Sequence, residues 1–139
     1  MPLPTVRKND VLNNLFRATA MPAAPAAWFV ALCRSAPGAD GSGGTEVVVA
    51  GYARQAVTFR VPTNGETDNT AVIQFPTLTA DGGIASHFKI MDASTVGNVV
   101  FFDNLRDASG APITRALGVG TAPSFDIGEL RIDANRVNL

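Results

Sequence analysis

Residues 27–33 read Ala-Trp-Phe-Val-Ala-Leu-Cys, and this run decides the fold class. Upstream of it the apolar residues recur with a helical period; from Ala27 onward the period is two. As a strand, the run places Trp28, Val30 and Leu32 on one side and Phe29, Ala31 and Cys33 on the other. Both faces are apolar, so the segment is expected to be a central strand covered on both sides.

Downstream, short strand-like runs alternate with Gly/Pro turns. Ser35 to Thr45 holds Pro37 and four glycines and reads as a loop. Glu46–Ala50 and Tyr52–Val61 read as two strands broken at Gly51, with a bulge or bend there. In the second, Ala53, Gln55, Val57 and Phe59 share a face opposite Tyr52, Arg54, Ala56 and Thr58. Asn64-Gly65 marks a turn in the polar stretch 62–69. Ala71, Ile73 and Phe75 alternate as a strand closed by Pro76, and Asp81-Gly82-Gly83 is a turn. Ile84–Met91 reads as one half-buried strand, and after a turn at Ser94–Gly97 it pairs with Asn98–Leu105 as a hairpin. Ile113–Val119 and Phe125–Ile132 are weaker strand candidates, followed by a polar tail to Leu139.

Upstream, Pro2 and Pro4 make residues 1–8 an extended arm. Asn9 and Asp10 suit a helix N-cap. Leu12, Leu15 and Phe16 then form one helical stripe of about three turns, ended by Pro22 and Pro25. A helix that short is marginal in water, so its stripe must dock on something. The expected fold is therefore mainly β: an antiparallel, β-sandwich-like domain over residues 9–139 with one short N-terminal helix. Residues 106–139 read as a C-terminal elaboration of it, either strands or an arm.

At 139 residues the chain is expected to be one domain. It is 46% hydrophobic and 17% charged, enough apolar material for a core. Eleven basic residues face twelve acidic ones without a block of either sign, which gives no reason to expect a nucleic-acid or membrane partner. No run approaches the ~20 apolar residues of a membrane span, and no secretory h-region follows Arg7 and Lys8.

Chemistry-bearing residues are sparse. The lone cysteine, Cys33, lies in the apolar run and is read as a buried, inert thiol. The lone histidine, His87, follows Ser86; as strand neighbours the two should point to opposite faces, which excludes a nucleophile–base pair. One His and one Cys cannot build a usual zinc site. Asp81, Asp92, Asp103 and Asp107 fall at turns and strand ends, where aspartate bonds the local backbone. Residues 41–44 and 118–120 lack the context of a phosphate loop. No catalytic, cofactor-binding or metal-ligating residue is assigned, no cofactor is expected, and the chain reads as a non-enzyme.

The stretch from Pro37 to Phe59, PGADGSGGTEVVVAGYARQAVTF, resembles a family of small tailed-bacteriophage proteins of the tail-fibre type. The resemblance includes LFRATA (Leu15–Ala20), APAAW (Ala24–Trp28) and VALC (Val30–Cys33). It continues through AVIQFP (Ala71–Pro76), SHF (Ser86–Phe88), Asp92-Ala93 and NVVFF (Asn98–Phe102), and stops near Arg106. It implies a structural virion component assembled in the bacterial host cytoplasm, with no catalytic residues. Its partners would be other virion proteins of the tail or capsid and copies of itself, as a homo-oligomer.

Within that class three roles differ. The chain could be a tail-fibre-type or fibre-docking subunit, a capsid decoration (cement) protein, or a receptor- or carbohydrate-binding module in which Trp28 or Tyr52 stacks on sugar. It carries no repeat or heptad from which to build a long shaft. A compact domain of this length spans only about 30–40 Å. The first role is therefore expected as a docked subunit, with the arm, the 35–45 loop and the C-terminal third free to reach neighbours.

Overall fold

A computed structural model describes residues 3–136 of the chain; the first two arm residues and the end of the polar tail, 137–139, lie outside the described residues. Its helix α1 spans Thr5–Arg17 and is followed by strands β1 (Trp28–Cys33), β2 (Gln55–Val57), β3 (Glu66–Asp68), β4 (Ile73–Gln74) and β5 (Ile84–Ala85). Strands β6 (His87–Met91), β7 (Val99–Asn104), β8 (Arg115–Ala116), β9 (Ser124–Phe125) and β10 (Arg131–Asp133) come next, and a 3-10 turn (Ala134–Arg136) ends the described chain. The protein is mainly β, as the sequence predicts.

The decisive run forms β1, and it is central: the four-stranded sheet has the order β2-β1-β6-β7, all neighbours antiparallel. Val30, Ala31, Leu32 and Cys33 are wholly buried. On one face Val30, Leu32, Phe88, Ile90 and Phe101 join Val47, Val57, Ile73, Phe75, Leu78, Leu117, Phe125 and Leu130 in the main core. Among the described residues, the layer packed on that face contains no second broad sheet. It is assembled from two-stranded ladders and turns.

Those ladders are nested. β6 pairs with β7, β5 with β8, β4 with β9 and β3 with β10, each antiparallel. Residues 66–91 thus lie against 99–133 as one long, interrupted hairpin whose tip is the turn 92–98. Between ladders the backbone bonds continue, as in Phe75 N to Pro123 O, Leu78 N to Thr121 O and Gly82 N to Leu117 O. Residues 106–136 are therefore strands and turns laid back on the body and not a free arm.

Three local readings need correction. First, residues 5–8 are not extended: α1 begins at Thr5, and Asn9 and Asp10 lie inside it. Pro4 takes the N-cap position with no side-chain cap bond; its carbonyl accepts from Arg7 N and Lys8 N. Pro4 is buried, and a Cβ on Gly41 would sit 2.9 Å from its Cγ. This anchoring outweighs the side-chain caps available five and six residues later.

Second, of the two strands read across 46–61 only Gln55–Val57 is regular. A Cβ at Gly51 (φ +89°) would lie 2.6 Å from Thr77 O, so the backbone bends there and only glycine fits. The open edge of β1 is satisfied piecemeal instead: Val47 N donates to Leu32 O, Arg34 N donates to Thr45 O, and Leu32 N donates to the Tyr52 hydroxyl at 3.0 Å.

Third, the 35–45 loop is not free to reach neighbours. It is closed by Gly38 N to Ser42 O, and the Lys89 ammonium donates to Gly43 O. It covers the reverse sheet face, where Ala31, Cys33, Lys89, Met91 and Phe102 are buried. A hydrogen-bonded carbonyl is what makes burial of the Lys89 charge tolerable.

Candidate functional site

Cys33 lies at the end of β1 on the reverse face, wholly buried, and burial pushes its thiol up to about 11. Near neutral pH it is a protonated, shielded thiol and no nucleophile. We expect no labelling of native protein by an aromatic disulfide reagent at pH 8 and one equivalent on denaturation. Rapid labelling of the native chain would show that the loop over it opens readily.

Ser86 and His87 do meet, against the expectation. The Ser86 hydroxyl lies 2.8 Å from His87 Nδ1 and 3.1 Å from Arg34 O. The strand read over 84–91 is interrupted at Ser86, between β5 and β6, so strict alternation does not apply. The inward residues on either side, Ala85 and Phe88, are three apart. Burial lowers the His87 pKa, which favours the neutral ring. The serine hydroxyl can spend its one proton on the Arg34 carbonyl, leaving the ring N–H to donate to Ser86. The pair then bolts β6 to the end of β1.

Neither aromatic offered for sugar stacking forms an exposed platform. Trp28 is half-buried against the core. Tyr52 stacks on Phe75 (centroids 5.9 Å apart, planes 16° apart), and its hydroxyl accepts from Leu32 N while donating to Glu46.

The four turn aspartates are spent on local bonds, as read. Asp81 accepts from Gly83 N, Asp107 from Ser109 N and Ala111 N, and Asp103 from Asn104 N and Arg106. Asp92 accepts from Asn98 N at 2.6 Å and Asn98 Nδ2 at 3.0 Å, closing the hairpin tip. These bonds hold its carboxyl below the usual range, as bonds to Ser42 and Ser109 do for Asp40 and Asp107. A folded pKa below the unfolded one stabilises above the unfolded value, and that contribution is lost as pH falls through the folded value. Melting temperature should therefore drop below about pH 4, and Asp92→Asn should flatten that drop; an identical profile would deny the tip this role.

Sequence reasoning missed the Glu46–Arg54 pair. Arg54 Nε and Nη2 grip both Glu46 oxygens at 2.8 and 2.7 Å, while Nη1 donates to Ala93 O and Val96 O. One guanidinium thus ties the loop after β1 to the tip of the hairpin. No local pattern marks a pair whose carbonyl partners lie about forty residues away.

The surface with unmet packing is on α1. Leu12, Leu15 and Phe16 share an arc of about 100°, yet they are 42, 66 and 78% exposed, and no residue of the helix is buried. Toward the body it turns instead the Arg7–Asp10 pair, whose side chains are only 24 and 21% exposed. The helix is held at its start, where Thr5 N donates to Ala39 O. Beyond Arg17, residues 18–27 lead to β1 with no regular structure and almost wholly exposed, Met21 among them. The expected docking of the stripe does not occur among the described residues.

A protein-family model described as "Podophage GP4 fiber I protein gp80" matches residues 2–133. The match runs well past Arg106, where the sequence resemblance stops, so β8 to β10 belong to the family pattern. No curated protein matches the sequence.

Proposed function

The chain belongs to the podophage fibre family described as GP4 fiber I protein gp80, and from that premise we propose that it is a one-domain, non-enzymatic subunit of the virion tail, self-associated and docked among other virion proteins. The family match over 2–133 is the observation that carries this reading. The strands support a docked subunit over a shaft: none exceeds six residues among those described, and the chain folds back on itself through nested ladders. A long shaft would need a heptad, a repeat or intertwined strands.

Cryo-electron microscopy of the particle tests the location. Density for this domain around the tail is the expected result, and it would identify the neighbours in contact. Density spread over the icosahedral shell would overturn the tail assignment in favour of a cement protein.

A further inference from the structure

We propose that α1 is a docking element between copies: the Leu12–Leu15–Phe16 stripe of one copy, still anchored on its own body, packs on the β-body of a neighbouring copy. The inference rests on the self-association proposed above, and the location of the protein in the particle is independent of it.

Three observations converge. First, the helix turns only Val11 of its apolar residues, with the Arg7–Asp10 pair, toward its own body. Its paired Arg7 and Asp10 are half-buried while Leu15 and Phe16 stand in solvent. A 13-residue helix is marginal on its own, and its stability normally comes from packing its apolar face. A stripe at i, i+3 and i+4 is the pattern of a helix meant to be covered.

Second, charge is divided between helix and body. Residues 1–17 carry Arg7, Lys8 and Arg17 against the single acid Asp10, while residues 18–139 carry the remaining eight basic residues against eleven acidic ones. A helix of charge +2 approaching a body of charge −3 is attracted, whereas two such helices packed side by side repel. This favours the body of another copy over its helix as the seat.

Third, the ten residues 18–27 are exposed and make a tether that reaches about 30 Å when extended. With Pro4 and Thr5 anchored on the body, that length leaves the stripe-bearing end of α1 clear of its own strands. Made reciprocally between two copies the contact closes as a two-fold dimer, and made in one direction only it closes into a ring or continues as a stack.

The test uses the full chain. Wild-type protein should sediment as an oligomer that dissociates as salt is raised from 0.05 to about 1 M. The double variant Leu15→Asp/Phe16→Asp should be monomeric, with the circular dichroism spectrum and melting temperature of dilute wild type, since both side chains are exposed. In a mixture of 14N- and 15N-labelled chains, benzoylphenylalanine at position 16 should cross-link to residues 28–136 of the other isotopic species. A monomeric wild type at millimolar concentration overturns the proposal, as does an oligomer that survives the double substitution. Cross-links to another α1 overturn it in favour of a helix bundle. Binding of monomer to anionic vesicles through position 16, without cross-links between copies, overturns it in favour of a membrane surface.

Discussion

Asn69→Leu should destabilise the protein by about 4 kcal/mol, the largest effect we expect from any polar substitution. Asn69 is wholly buried where β3 ends. Its Nδ2 donates to Ala71 O and Asp126 O at 2.8 Å each, and its Oδ1 accepts from Leu130 N at 2.9 Å. One side chain thereby satisfies three backbone groups and pins the 126–130 turn against the chain some sixty residues earlier. Leucine has nearly the same volume but no polar atom. It strands the Ala71 carbonyl and the Leu130 N–H, while Asp126 O keeps only its bond from Glu129 N, and each orphan costs roughly 1–3 kcal/mol. Chemical denaturation at pH 7 measures the loss. Asn69→Asp should fare little better above pH 5, because a carboxylate oxygen would then face two carbonyls, and it should recover in part as acid protonates the group. If Asn69→Leu unfolds at the parent's midpoint, the turn at 126–130 is not held this way.

Phe101→Ala should cost about 3–5 kcal/mol through the cavity it leaves. Phe101 is 4% exposed, stands opposite Ile90 across the β6–β7 ladder and lies 6.1 Å from Phe88 in the main core. Its neighbour Phe102 is equally buried but faces the other way, opposite Lys89, whose ammonium is bonded to the 35–45 loop. A loop can settle into a void more easily than packed strands can, so Phe102→Ala should cost less, about 2–3 kcal/mol. The structure buries both rings, on opposite faces of β7. Two variants with unchanged denaturation midpoints would mean that β7 is placed in the wrong register. A Phe102→Ala cost above that of Phe101→Ala would mean that the loop side is the tighter core.

Much of the architecture is legible in single segments. The two-sided apolar run at 28–33 identifies a central strand because only a strand buried on both faces tolerates it. Turn residues at Ser94–Gly97 locate the hairpin tip, and the setting of Cys33 announces its burial. The four turn aspartates also behave as their positions suggest. These features are local: they depend on which face of a short segment is apolar and on which residues accept a left-handed or turn backbone.

The remainder depends on partners distant in sequence. Pairing of β3 with β10, β4 with β9 and β5 with β8 is made by backbone groups, which are alike in every residue. The strands involved are two or three residues long, too short to carry a period. Their register follows from closing one long hairpin over a shared core, with Asn69 and Arg54 fastening segments that no spacing relates. The Ser86–His87 contact escapes the alternation rule because the strand breaks there. The helical stripe was readable residue by residue, but its orientation was not. Periodicity shows that one face of α1 is apolar; only the tertiary structure shows that Pro4 and the Arg7–Asp10 pair hold this face away from the body, leaving it for another surface to cover.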